Sequence, residues 1–150
     1  FQDTGTQQTN EYYNAFVLYC EIFLAYMFGR SEVAAEKAIV VNSILSQPSH
    51  KLRHRLLHSV IFFDGLSSID MARFTHEKKW RLRAQINGKR LKKEIKKSPQ
   101  TNSHRYKLIE AEYASLRGKK KKATAAYDAA IAIAANCKCC QYEALAYERA

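Results

Sequence analysis

A single glycine, Gly118, divides two helical stripes and so dictates a hairpin of helices. Before it Tyr106, Ile109, Tyr113 and Leu116 recur at three- and four-residue spacing, and after it Ala123, Tyr127, Ala130 and Ala134 do the same. That is the interval at which side chains share one helix face. Glycine adopts the left-handed conformation that ends a helix without steric cost, and the short turn sends the next helix back antiparallel. Ala111, Ala114, Ala123 and Ala130 are small enough for the two backbones to approach closely, with Tyr127 filling the gap between them. The stretch from His104 to Ala134 therefore predicts architecture, and it carries no catalytic constellation.

The rest of the chain reads as variations on that unit. Two prolines and five glycines interrupt 150 residues that are 47% apolar, which favours long helices with tight turns over a sheet and allows a sizeable core. Residues 1–9 are polar and without period, a linker or frayed lead-in, so one helical repeat domain is expected over 10–150. The absence of an initiator methionine and a last helix still running at Ala150 are what a fragment of a longer multidomain protein would show.

Asn10 is placed to cap a first helix whose broad inner face carries Tyr12, Tyr13, Phe16, Val17, Cys20, Phe23, Leu24 and Met27, with Gly29 as its stop. Phe16 to Phe28 falls short of the roughly 20 residues that cross a bilayer, and Glu21 lies within it, so a core helix is expected and not a membrane span. A second helix, Ser31 to Ser46, turns Ala34, Ala38, Val41 and Leu45 inwards and ends at Gln47 and Pro48. Ser49 caps a third, in which Leu52, Leu56, Leu57, Val60, Ile61, Phe63, Leu66 and Ile69 leave little polar surface. A helix apolar on nearly all sides is buried on nearly all sides, which places it at the centre. Asp64 and Asp70 are expected at its edge, facing solvent or a neighbouring arginine.

A basic helix follows in His76 to Lys97. Lys78, Lys79, Arg81, Arg83 and Lys89, with Arg90, Lys92, Lys93, Lys96 and Lys97, are set against Glu77 and Glu94 alone, and most of the chain's net charge of +11 resides here. Trp80, Ala84, Leu91 and Ile95 form a narrow stripe that docks the helix on the outside of the array. Gly88 weakens its middle by about 1 kcal/mol relative to alanine. Such a surface attracts an acidic protein face, an anionic membrane or nucleic acid. Lys119 to Lys122 add four cations at a helix N-terminus, where they oppose the dipole and an acidic partner would relieve them. Ser98, Pro99 and Asn102 are expected to break the chain before the Gly118 hairpin, and a cysteine-rich turn leads to a last helix, Gln141 to Ala150.

Candidate sites are few. Cys137, Cys139 and Cys140 crowd together, but tetrahedral zinc wants a second pair or a histidine at defined spacing, so free reduced thiols are expected. His50, His54 and His58 share one helix face without an accompanying carboxylate, a weak metal arrangement beside Arg53 and Arg55. The glycines are too scattered for a phosphate loop. No catalytic residue, metal or cofactor is assigned.

Gly118 is followed after five residues by Ala123, after four more by Tyr127 and after three more by Ala130. This resembles the tetratricopeptide repeat in a degenerate form, with Lys120 where an aromatic is usual, and Gly29 to Ala34 repeats the first interval. The wider wording HRYKLIEAEYASLRGK, AAYDAAIAIA and YEALAYERA, with AYMFGRSEVAAEKA and FFDGLSSIDMAR upstream, is similar to one narrower family. It is the helical repeat region of large hybrid signalling proteins that join a serine/threonine kinase, an AAA-type ATPase module, these helices, a GAF domain and a histidine kinase. The resemblance implies an all-α antiparallel helix-pair array, a right-handed solenoid of about seven helices. It also implies a non-catalytic, cytoplasmic scaffold that couples ATPase and kinase switch modules to sensor and histidine kinase domains through protein contacts. The alternative is a basic helical nucleic-acid-binding module.

Overall fold

The computed structural model describes the backbone of residues 4–46 and 53–150 and the side chains of 10, 13–46 and 56–150. These residues form seven helices: α1 Thr4–Met27, α2 Ser31–Leu45, α3 Arg53–Thr75, α4 Lys78–Ile95, α5 Pro99–Leu116, α6 Lys120–Asn136 and α7 Cys140–Arg149. Each packs antiparallel against its chain neighbour. Beyond that, α1 packs on α3, α3 on α5 and α5 on α7, whereas the backbones of α2, α4 and α6 make no such approach to one another among the described residues. The odd-numbered helices thus form a continuous inner layer, and the even-numbered ones lie outside it. This is the all-α helix-pair array expected, stabilised by nearest-neighbour stacking. No described helix is long and apolar enough to cross a membrane.

Four turns carry a left-handed residue at the same place. Gly29 and Gly118 have φ of 72° and 70°, and the same left-handed position is held by His76 (58°) and Lys138 (56°), each two residues before the next helix. At Gly118 the Gly118 N–H donates to the Ser115 carbonyl and the Lys119 N–H to the Ala114 carbonyl, both at 2.9 Å. The same pair of bonds closes the turns at Gly29 and Lys138, and it satisfies carbonyls that a helix end leaves without partners. Glycine announces two of these turns. Histidine and lysine announce nothing, because side chains at positive φ are disfavoured and no sequence pattern selects them.

Helix α3 is the hub, with every residue from Ser59 to Ala72 buried. Phe62 and Phe63 pack edge-on at 5.0 Å between ring centres, Phe63 meets Phe23 of α1 at 5.4 Å, and Phe62 meets Tyr142 of α7 at 5.6 Å. Gly65 allows α5 to come close: a Cβ at that position would lie 2.7 Å from Ile109 Cδ1. Ser49 and Leu52 lie outside the described residues.

Four local expectations are corrected. Helix α1 begins at Thr4, ahead of Asn10, since threonine and glutamine extend a helix at little cost once packing has nucleated it. Its buried face is Ala15, Ile22, Ala25 and Tyr26, while Tyr13, Phe16, Val17, Leu24 and Met27, expected inside, are exposed. Both faces of α1 are apolar, so periodicity could not choose between them, and the face with alanines packs closest. Helix α5 begins at Pro99, whose missing N–H costs nothing in a first turn, so Asn102 is a buried helical residue and not a break. Its buried face is Leu108, Ile109, Ala111, Glu112 and Ala114, and Tyr106, Tyr113 and Leu116 pack against the core half-buried. Asp64 and Asp70 do meet neighbouring arginines, one of the two settings expected, but both are buried and do not lie at an edge.

Candidate interaction site

Helix α5 has chemistry on both its flanks. On the inner flank Glu112, buried between Leu108 and Ala114, meets two arginines from other helices. Arg149 of α7 donates from Nε to Glu112 Oε1 at 2.8 Å and from Nη2 to Oε2 at 2.9 Å, and the same Nη2 reaches Asp70 Oδ1 of α3 at 2.6 Å. Arg73 of α3 lies 2.7 Å from Glu112 Oε2 and 3.1 Å from Asp70 Oδ1. The Tyr127 hydroxyl of α6 donates to Glu112 Oε1 at 2.8 Å, and the Ser31 hydroxyl of α2 donates to Asp70 Oδ2 at 3.1 Å. Two carboxylates and two guanidiniums thus balance, and five helices are tied at one point.

The local electrostatics follow from that balance. Burial pushes the Glu112 carboxyl up, but the hydrogen bonds and charges of Arg149 and Arg73 outweigh it and hold it below the usual carboxylate range. Burial, with Glu112 alongside, drives the Tyr127 phenol up. A second node joins the first two pairs: Asp64 accepts Arg83 Nη2 at 2.7 Å and Asn42 Nδ2 at 3.2 Å. There burial prevails, and the Asp64 carboxyl is raised despite Arg83.

The outer flank of α5 is different. Between α4 and α6 it floors a groove of about 240 Å³ lined by Ala84, Gly88, Tyr106, Ile109, Tyr113 and Ala114. Lys89 and Lys92 of α4, Arg117 and Lys119 of the α5–α6 turn, and Lys122 of α6 stand at its rim. The one rim acid, Glu110, is held by Lys107 at 2.9 Å and Lys122 at 3.4 Å. Lys89, Lys92, Arg117 and Lys119 have no ionic partner among the described residues.

The basic helix is thus less uniform than its sequence. Arg83 turns inward to Asp64 and the Ala35 carbonyl, and Arg90 reaches Asn42 and Asn87. Lys79 pairs with Glu77 and Lys97 with Glu94. Ala84 and Leu91 dock α4, as expected, and Asn87 is buried beside them. Trp80 is half-buried, its indole N–H enclosed, with Lys79 and Arg83 over the ring at 5.3 and 5.7 Å.

The other candidates do not assemble. Cys137 and Cys140 are exposed and Cys139 half-buried around the left-handed Lys138, all three free thiols, as is Cys20 in α1. His50 and the His54 side chain lie outside the described residues. His58 accepts from Asn102 Nδ2 at its Nδ1 and donates from Nε2 to Glu94, both at 3.2 Å, so it is a link between α3, α4 and α5. Among the described residues no three His, Cys, Asp or Glu side chains converge as a metal site. Sequence reading passed over Glu112 and Arg149. Glu112 was findable, because it follows Leu108 and Ile109 at helical spacing and so falls on the core face; Arg149 had no such signal.

No family model, no curated protein and no solved structure matches this chain.

Proposed function

We propose that the chain is a non-catalytic helical-repeat scaffold acting through protein–protein contacts. Following the resemblance of its wording to the repeat region of hybrid signalling proteins, it couples ATPase and kinase switch modules to sensor and histidine kinase domains, in the cytoplasm. One observation carries the interaction reading. The first pair leaves large apolar side chains in water, among them Phe28 at 78% exposure, Tyr13 at 59% and Ile39 at 55%, together with Val17, Leu24 and Val40. So many exposed large apolar side chains on one helix pair support a contact site.

The nucleic-acid alternative draws on the same basic helix, but two of its arginines are spent inside the array and its tryptophan is already covered by cations. Stacking on single strands needs an accessible aromatic face.

A photo-crosslinking amino acid placed at Leu24, in cells, tests the reading. Crosslinks to kinase, ATPase or sensor modules are expected; crosslinks mainly to DNA or RNA, or ATP turnover by the purified chain, would overturn it.

A further inference from the structure

We propose that the outer groove over α5 is a docking site for an acidic protein segment carrying one aromatic or branched aliphatic anchor. The groove exists because Gly88 puts no side chain on the facing side of α4. A Cβ there would lie 3.5 Å from Ile109 Cγ2, ordinary contact, so a larger residue would stand in the groove without colliding with backbone. The floor is made of alanine, isoleucine and the rings of Tyr106 and Tyr113, which is a place for an apolar side chain to leave water.

The rim supplies the second half of the recognition. Lys89, Lys92, Arg117 and Lys119 surround the slot from α4 and from the α5–α6 turn without a carboxylate of their own among the described residues, and like-charge crowding raises their energy until an acid arrives. Helix α6 begins there with no side-chain cap on its first turn. Its dipole favours a carboxylate at the same spot. A neighbouring hollow lined by Arg81, Tyr113, Leu116 and Arg117 extends the slot along the helices. An apolar pocket flanked by unpaired cations fits an acidic segment that inserts one anchor, with the anchor giving affinity and the rim giving selectivity. A phosphate backbone would use the rim and leave the pocket idle.

This goes beyond the scaffold reading, because the groove lies away from the α1 surface and stands or falls separately. The test is fluorescence anisotropy with the 150-residue chain and a labelled helical peptide of glutamates and alanines bearing one central Trp. The comparison probes are the same peptide with Ser at the centre, a mixed-sequence DNA duplex and phosphatidylserine vesicles. The Trp peptide is expected to bind at least about tenfold more tightly than the Ser peptide, and more weakly as salt rises. Gly88→Leu fills the slot without altering charge, and Lys89→Glu with Arg117→Glu inverts the rim. Each should cost about tenfold or more in affinity with the helical circular dichroism unchanged.

Lys92→Glu with Lys119→Glu serves in place of Gly88→Leu if that variant unfolds. Equal binding of Trp and Ser peptides, no binding of either at low salt, or tighter binding of DNA or vesicles would each overturn the proposal. Loss of the α1 crosslinks with the anchored peptide still bound would sink the scaffold reading alone.

Discussion

Glu110 and Glu112 stand two residues apart on α5 and meet opposite settings. Glu112 points into the array, where Arg73, Arg149 and the Tyr127 hydroxyl surround it and its charge is matched by design of the packing. Glu110 points out to the groove, where it is the one acid among lysines and arginines and still reaches only Lys107 and Lys122. The inner charges balance because burial demands it: an unpaired ion inside costs several kcal/mol. The outer charges are under no such constraint, since water and salt screen them. A surplus can persist there, available to something that is not part of the fold. Charge near α5 thus divides into a balanced set that holds helices together and an unbalanced set that does not.

The division can be broken most decisively at Arg149. Arg149→Ala leaves Glu112 and Asp70 short of a cation and should cost about 3–5 kcal/mol, seen in denaturant unfolding and in faster amide exchange along α7. A smaller effect belongs to pH. His104 is buried against Tyr142, with both ring nitrogens unpartnered among the described residues and Arg105 beside it. Burial first, and Arg105 second, lower its pKa from 6.5 to about 4. The native state therefore binds fewer protons than the unfolded chain between those values, so this contribution is complete above pH 6.5 and is lost as pH falls towards 4. Its ceiling is about 3 kcal/mol, and His104→Phe should flatten that part of the stability profile.

Next in size is the tyrosine comparison. Tyr127→Phe removes a hydrogen bond to a buried carboxylate and should cost about 2 kcal/mol, whereas Tyr113→Phe in the groove should stay within about 0.5 kcal/mol. A matching loss at both positions would erase the difference between the flanks. Smallest of all, Lys89→Gln with Lys92→Gln should leave the unfolding midpoint within about 0.5 kcal/mol of the parent, or raise it slightly by easing repulsion.

Much of the fold was readable in the sequence. Gly118 and Gly29 do hold left-handed turns, Tyr127, Ala123 and Ala130 are buried, and the all-round apolar α3 lies at the centre. What failed did so for a shared reason: periodicity shows which residues share a face, but not what stands opposite. Helix α1 is as apolar as α3 and is packed on one side only. Tyr106 and Tyr113 have the spacing of a core stripe and do pack against the core, but half-buried, with their outer sides flooring a groove. The inner network was hidden for another reason, since it joins Asp70 to Arg149 across 79 positions, and charge pairing at that range leaves no local pattern.

The most direct test is to unfold Glu110→Gln and Glu112→Gln side by side in urea, the same change at two positions on one helix. Glu112→Gln leaves two arginines undercompensated in the interior and should lose about 3 kcal/mol or more, while Glu110→Gln gives up half-exposed ion pairs and should lose less than about 1 kcal/mol. Equal losses, or a larger one at Glu110, would contradict the division of α5 into a structural inner flank and a free outer one.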